Sequence, residues 1–314
     1  MSLKKRVVVI GPMHPSVMQH LHSHYEVLEL YKFDNPLEVL QEQGAGIEAI
    51  VTGAFHGLNN EYLNYLPDVK VVSTFGVGYD SIDTKALAQR GIQLGNTPDV
   101  LNDAVADTAI ALLLAVVRQV VVADKFVRAG QWPQGAFPLT SNVSGKKVGI
   151  VGLGSIGQVI AKRLSGFDCE IAYHNRRQRD DVNFAYYADL NALASWADFL
   201  IVATVGGEQT RHLINAQVLQ SLGSKGTLVN IARGSVVDEE ALLQTLQQGV
   251  IAGAGLDVFA YEPDVPVAFY ELDNVVLMPH LGSATIETRQ AMAQRVIDNL
   301  EAFFAQGEVL SRVV

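Results

Sequence analysis

From Arg6 to about Asn96, short runs of apolar and β-branched residues alternate with segments of helical period. Val7–Ile10, Glu48–Thr52, Val69–Thr74 and Gly91–Leu94 read as strands. A second series runs through Lys147–Val151, Glu170–His174, Phe199–Thr204, Thr227–Ile231, Ile251–Asp257 and Val275–Met278. Strands alternating with helices in this way predict parallel βαβ units, hence an α/β protein of two doubly wound parallel-sheet domains. The six runs of the second series are enough for a Rossmann sheet.

Between the two series lies the most apolar stretch of the chain, Ala104 to Ala123. Asp107, Arg118 and Asp124 interrupt or bound it, and its unbroken apolar run falls short of the ~18 residues that a membrane span requires. It reads as one buried helix, started by Asn102 or Asp103 and ended by Gly130, with Pro133 preventing resumption. A helix this apolar needs more than one packing partner, which predicts contacts between domains and against a second subunit, a homodimer. The last helix, Glu287–Phe304, follows the completed second sheet and is expected to return to the first half. The expected domains are therefore discontinuous: 1–99 with 285–314, and 100–284.

A chain of 314 residues, 49% hydrophobic and 18% charged, is long enough for two cores. Its formal net charge of -10 leaves no basic stripe for nucleic acid or an anionic membrane surface. The single cysteine, Cys169, rules out an internal disulfide; it reads as a buried strand residue and suits a reducing, cytoplasmic setting. Near the N-terminus, Val7–Ile10 reads as a first strand and not as the core of a secretory leader.

The first chemical signal is Gly152-Leu153-Gly154-Ser155-Ile156-Gly157, which follows one predicted strand directly and opens a helix ending near Leu164. In that context Gly152 allows the tight turn and Gly154 lets backbone approach a pyrophosphate. Gly157 lets helix and strand pack, with phosphate charge at the helix N-terminus. The turn therefore predicts a nicotinamide dinucleotide. Where an NAD site would place an acidic residue against the ribose 2′-hydroxyl, this chain has Asn175-Arg176-Arg177. A neutral side chain and two guanidiniums favour a 2′-phosphate, so NADPH is preferred and NADH is secondary. The plainer alternative makes both arginines solvated surface groups beside Arg179, Asp180 and Asp181.

Three ionisable residues fall just past strand carboxyl ends, where open α/β sheets place ligands: Arg233, Glu262 and His280. An arginine can hold a substrate carboxylate and polarise the adjacent ketone. A protonated imidazole can donate to the oxygen that becomes hydroxyl, and a carboxylate beside it favours its charged form. Each residue alone has an ordinary structural reading; together, on the sheet that carries the glycine turn, they point to carbonyl reduction.

With these motifs in order, the chain resembles the D-isomer-specific 2-hydroxyacid dehydrogenases, and within them the NADPH-dependent glyoxylate/hydroxypyruvate reductases. The likeness rests on Gly76–Asp83, Thr97–Val100, the Gly152 turn, Asn230–Gly234, Gly255–Phe259 with Glu262-Pro263, and Pro279–Thr285. It implies a Rossmann dinucleotide-binding domain and a smaller flavodoxin-like substrate domain. It also implies a small 2-oxo acid as substrate, with the domains closing over it to exclude water. By the same likeness Arg233 binds the substrate, Glu262 partners the histidine and His280 is the general acid. The backbone of Val77 and Gly78 is a second clamp on the substrate carboxylate. Asp257 looks like the carboxylate near the nicotinamide carboxamide, and Ser155, Ile156, Thr204, Ile231, Ala232 and Gly282 join the cofactor contacts. Thr204–Glu208 departs from the family's proline-containing loop, and no regulatory extension follows Val314 of the kind borne by long phosphoglycerate dehydrogenases.

Other readings are weaker. His20 and His24 share a helix face without an acidic or cysteine cage, so no metal site is expected. Gly282-Ser283-Ala284 lacks the nucleophile elbow of a hydrolase, and Ser283 reads instead as lining the cofactor side of His280. Trp132 reads as a packing or subunit-interface aromatic. A broad-specificity 2-oxo acid reductase, a phosphoglycerate-type dehydrogenase and a dinucleotide-sensing corepressor-like protein are the rival functions.

Overall fold

The computed structural model describes residues 4–314. In chain order the strands are β1 (Arg6–Val9), β2 (Glu26–Glu29), β3 (Ile47–Gly53), β4 (Val71–Phe75), β5 (Gln93–Gly95), β6 (Lys147–Val151), β7 (Glu170–His174), β8 (Ala185–Tyr186), β9 (Phe199–Val202), β10 (Thr227–Asn230), β11 (Gly253–Leu256) and β12 (Val275–Leu277). The α-helices are α1 (Pro15–His24), α2 (Pro36–Gln43), α3 (Thr84–Gln89), α4 (Asn102–Val117), α5 (Val120–Arg128), α6 (Ser155–Leu164), α7 (Leu190–Trp196), α8 (Ala216–Leu222), α9 (Glu239–Gln247) and α10 (Ile286–Gln306).

The chain divides into two compact units. One joins the residues up to Leu101 with Thr285–Val314; the other is Asn102–Ala284. The described residues of the first unit form a five-stranded sheet, β2-β1-β3-β4-β5, parallel throughout. That is the flavodoxin-like order, 2-1-3-4-5. The second unit holds β12-β11-β10-β9-β6-β7-β8, also parallel. Renumbered within the unit, this is the Rossmann order 3-2-1-4-5-6 with one strand added beyond the sixth.

The first unit's sheet buries β1, β3 and β4 on both faces. Val8, Ile50 and Val72 pack with Leu40, Leu63 and Leu87 on one side. Val7, Ala49 and Val71 pack with Leu21, Val296 and Leu300 on the other. Helix α10 thus belongs to the first unit's core, where the Val296 carbonyl also accepts the buried Ser73 hydroxyl at 3.1 Å. The last residues close the edge at β5: Val313 N–H reaches the Leu94 carbonyl at 2.8 Å, and Leu94 N–H reaches the Val314 carbonyl at 3.3 Å. The second unit packs Leu200, Leu228 and Leu256 against α7, α8 and α9 through Leu193, Leu219 and Leu242.

Several expectations need correction. The first unit has a fifth strand, β2, that the hydrophobic pattern did not mark, because Glu26-Val27-Leu28-Glu29 has charged ends and lies at a sheet edge. The second sheet has seven strands, not six. The missed one, β8, is two residues long and is also at an edge, so it leaves no periodic signal. Cys169 precedes β7 and is only half-buried, its Sγ 3.4 Å from the Val143 carbonyl.

The long apolar helix is broken. Helices α4 and α5 meet at 58°, with Gln119 in the left-handed region (φ 50°). Neither proline nor glycine marks the break. It is stabilised instead by the 139–141 segment: Arg118 Nε donates to Thr140 Oγ1 at 3.0 Å and Ser141 N–H takes the Val117 carbonyl at 3.4 Å. Helix α4 buries Val105, Ala106, Ala109, Leu112, Leu113 and Val117, whereas no residue of α5 is buried. Among the described residues, no single helix is long and apolar enough to cross a membrane.

Candidate active site

The glycine turn joins β6 to α6 inside the second unit. Gly152 has φ +98°, and a Cβ there would lie 2.6 Å from the Thr204 backbone. A Cβ on Gly157 would lie 2.4 Å from the Gly152 carbonyl oxygen. These two glycines are required by close backbone approach. Gly154 differs: a Cβ on it meets nothing within 4 Å. The space beside Gly154 is thus not required by the protein's own packing, as expected of a glycine kept for a ligand. Gly154 is also the N-cap of α6 and gives no side-chain cap, and the first internal helical bond runs from Gln158 N–H to the Gly154 carbonyl at 3.0 Å. The N–H groups of Ser155, Ile156 and Gly157 therefore stand at the positive end of the helix, where an anion is stabilised.

Asn175, just past β7, is part of the turn itself: its Oδ1 accepts the Leu153 N–H at 2.7 Å. A carboxylate could make the same bond, but it would set a negative charge beside the turn; asparagine keeps the geometry without it. Arg176 and Arg177 are exposed, and Arg176 Nη1 donates to Gln209 Oε1 at 2.7 Å. Gln209 lies in the loop after β9, which closes on itself through Thr210 Oγ1 donating to the Val205 carbonyl at 2.8 Å. Arg179, grouped from sequence with the surface charges, is instead partly buried. It donates to the Leu153 carbonyl at 2.8 Å and is paired with Asp181. Two arginines of the 176–179 segment are therefore tied to the cofactor turn or its neighbouring loop. Arg179 and Gln209 were not legible because their partners are distant in sequence.

The strands β10, β11 and β12 carry the ionisable cluster. Asn230 shapes the chain around Arg233: its Nδ2 donates to the Arg233 carbonyl at 3.0 Å and its Oδ1 accepts Ala232 N–H at 3.1 Å. Arg233 is half-buried, with Nη1 2.8 Å from the Ala232 carbonyl. Past β11, Asp257 is 1% exposed and accepts from Leu281 N–H at 2.6 Å and Gly282 N–H at 2.8 Å, while its own carbonyl takes His280 N–H at 2.9 Å. Burial drives the Asp257 carboxyl above its ordinary value, opposed by these two N–H groups and by His280. In this structure its two oxygens hold the His280 loop. That loop includes His280 itself at φ 53°, a conformation that costs a non-glycine residue about 1 kcal/mol or more and that the Asp257 bonds sustain.

Glu262 and His280 are directly paired. Glu262 Oε2 lies 2.6 Å from His280 Nδ1, and Oε1 accepts Phe259 N–H at 2.9 Å. A carboxylate only accepts, so Nδ1 carries the proton in this bond and Nε2 is the nitrogen directed elsewhere. Burial pushes the Glu262 carboxyl up, but the His280 bond, the Phe259 N–H and the charges of His280 and Arg233 outweigh it, and the net shift is downward. The cluster thus combines a fixed anion, an imidazole oriented by it and a nearby guanidinium.

Val77 and Gly78 belong to the first unit, just beyond β4. They are held there by Asn96 Nδ2 donating to the Val77 carbonyl at 2.9 Å and by Thr97 N–H on the Gly76 carbonyl at 3.0 Å. Asn299 of α10 supports that pair by donating to the Asn96 carbonyl at 2.9 Å.

Known proteins resemble this chain over most of its length. Residues 110–282 match the family described as D-isomer specific 2-hydroxyacid dehydrogenase, NAD binding domain. A glyoxylate/hydroxypyruvate reductase A of Arabidopsis thaliana is 44% identical over 308 residues, 98% of each chain. A 2-ketogluconate reductase of Gluconobacter oxydans is 44% identical over 314 residues, the whole of both chains. Among solved structures, an NADPH-dependent glyoxylate/hydroxypyruvate reductase of Sinorhizobium meliloti, in complex with NADP and malonate, superimposes with a TM-score of 0.91 at 42% identity, covering 99% of this chain and 97% of that one. The chain belongs to the D-isomer-specific 2-hydroxyacid dehydrogenase family.

Proposed function

We propose that the protein is an NADPH-dependent reductase of small 2-oxo acids, of the glyoxylate and hydroxypyruvate type, giving the D-2-hydroxy acid. The single observation that carries this reading is the 2.6 Å pair of Glu262 and His280, built on the same sheet as the glycine turn. The relatives support the substrate class by their names, which run from glyoxylate/hydroxypyruvate to 2-ketogluconate reductase.

The residues present fit a dinucleotide. The open side of Gly154 and the uncapped start of α6 suit a pyrophosphate. Arg176 and Arg177, with Asn175 in place of a carboxylate, suit a 2′-phosphate. When bound, the nicotinamide supplies the hydride. Arg233 binds the substrate carboxylate and polarises the neighbouring carbonyl, and the backbone N–H groups of Val77 and Gly78 are assigned to the same carboxylate. His280 gives up the proton on Nε2 to the carbonyl oxygen as it becomes hydroxyl, while Glu262 holds the ring and stabilises its charged form. Thr204, Ile231, Ala232, Asp257 and Gly282 complete the assigned cofactor contacts.

The broader assignment is a cytoplasmic homodimer. Helix α5 and the residues after it expose Val120, Val121, Val127, Trp132 and Leu139, an apolar set that a second copy of the chain would cover. Val121→Asp with Val127→Asp is expected to convert a sedimenting dimer to monomer; a wild-type monomer at micromolar concentration removes this assignment. The activity is tested by following NADPH and NADH oxidation with glyoxylate, hydroxypyruvate, pyruvate and phenylpyruvate. Reduction of glyoxylate and hydroxypyruvate with NADPH is expected, and no turnover across the panel would defeat the reading.

A further inference from the structure

Glu239 opens α9 and lies outside the cluster of Arg233, Glu262 and His280. Its side chain reaches the turn that carries Glu262: Oε1 accepts the Ala260 N–H at 2.7 Å. The preceding amide, Phe259 N–H, goes to Glu262 Oε1 at 2.9 Å. Two carboxylates from different elements thus take consecutive N–H groups of one turn. The chain after Arg233 is pressed against the same turn, since a Cβ on Gly234 would lie 1.8 Å from the Phe259 carbonyl carbon. Backbone meets backbone there, and only glycine fits. Glu262 keeps one oxygen on this turn and the other on His280 Nδ1. A drift of the turn therefore carries Oε2 away from the imidazole.

The charges form a chain. Glu239 feels the charge of Glu262; Glu262 feels those of His280 and Arg233; Asp257 feels those of His280 and Glu262. Burial raises the Glu239 carboxyl above its ordinary value, the Ala260 N–H opposes the rise, and Glu262 adds to it. An uncharged side chain such as glutamine could accept the Ala260 N–H equally well. What the carboxylate adds over glutamine is its negative charge, set at the start of α9 and beside Glu262.

We propose that Glu239 is a positioning residue for the proton donor: its hydrogen bond to Ala260 fixes the Phe259–Glu262 turn so that Glu262 stays on His280, and its negative charge reinforces that of Glu262 in favouring the protonated imidazole. This rests on the reading of His280 as general acid. Glu239 touches neither substrate nor cofactor in this scheme; it acts through Glu262.

The test compares wild type with Glu239→Gln, Glu239→Ala and His280→Ala in the direction of 2-oxo acid reduction, measuring kcat and kcat/KM from acid to alkaline pH. Glu239→Gln keeps an acceptor for Ala260 and loses the charge. Its alkaline limb should move toward acid by about half a pH unit, so that its deficit grows with pH. Glu239→Ala also releases the turn, and kcat should fall about tenfold at every pH with the KM for NADPH unchanged. A Glu239→Gln profile superimposable on wild type, or a fully active Glu239→Ala, overturns the proposal. If Glu239→Ala does not fold, the Glu239→Gln profile decides alone. If His280→Ala retains wild-type activity, the general-acid reading itself has failed and this proposal falls with it, a result distinguishable from failure at Glu239.

Discussion

The glycine turn and the ionisable cluster lie on the same seven-stranded sheet but work by opposite means. At Gly152–Gly157 the chemistry is backbone: the useful property of Gly154 is that it has no side chain, and the binding charge comes from the N-terminus of α6. At Arg233, Glu262 and His280 the chemistry is in side chains, and the backbone's task is to aim them, through Asn230, Asp257 and the Phe259–Glu262 turn. The first region is constrained mainly by volume and backbone conformation, at Gly152, Gly154 and Gly157. The second tolerates loss of a hydrogen bond less well than a change in volume, because its side chains act only where those bonds aim them. Binding and turnover should therefore be separable by mutation.

The largest separation is expected from His280→Ala, which removes the proton donor and should lower kcat about 10³-fold with NADPH affinity preserved. Equal losses in binding and turnover would erase the contrast between the regions. Next, Gly154→Val adds a side chain where the protein has open space, so the fold should survive while the KM for NADPH rises about 100-fold. A drop in the thermal midpoint with unchanged KM would show that Gly154 is structural after all. Smaller is the effect of Arg176→Ala with Arg177→Ala, expected to reduce the preference for NADPH over NADH about tenfold, since each charged hydrogen bond to a phosphate contributes about 1.5 kcal/mol or more and water restores part of it. Kinetics with both nucleotides measure it directly, and an unchanged ratio would detach these arginines from the 2′-phosphate.

The smallest effects are on stability, and they have opposite signs within one turn. Glu262 is shifted down in the folded protein, so its contribution is present above the ordinary carboxylate range and is lost as pH falls through its lowered value. Glu239 is shifted up, so its ionisation favours the unfolded chain once pH exceeds the ordinary glutamate value. At neutral pH, Glu262→Gln should lower the thermal midpoint by a few degrees, whereas Glu239→Gln should leave it unchanged or raise it slightly. Calorimetry at neutral and acid pH distinguishes the two, and the Glu262→Gln difference should shrink in acid.

Most of the architecture was legible because its signals are local. Val7–Ile10 or Lys147–Val151 announces a buried parallel strand by composition alone, and the glycine spacing announces a phosphate turn. What escaped depends on tertiary context. Strand β8 is too short to carry periodicity, and β2 is framed by glutamates at an edge. The break between α4 and α5 has no helix breaker in it; more than twenty positions away, the Ser141 N–H takes the Val117 carbonyl and Thr140 accepts the Arg118 side chain. At the candidate site, Arg233, Glu262 and His280 could be named because each follows a recognisable strand. Arg179 on the Leu153 carbonyl and Glu239 on Ala260 could not, since nothing adjacent to either marks the backbone group it reaches.

The division of the chain also governs the order in which the protein can be made. Asn102–Ala284 is one uninterrupted segment, and its core can close as soon as it has been synthesised. The other unit is begun first and finished last: the face of β1, β3 and β4 that α10 covers, and the β5 edge bonded to Val313 and Val314, wait through the whole synthesis of the intervening unit. During that interval Val7, Ala49 and Val71 have α1 beside them but not α10, so the unit that emerges earliest from the ribosome keeps part of its core open until last, a surface prone to aggregation.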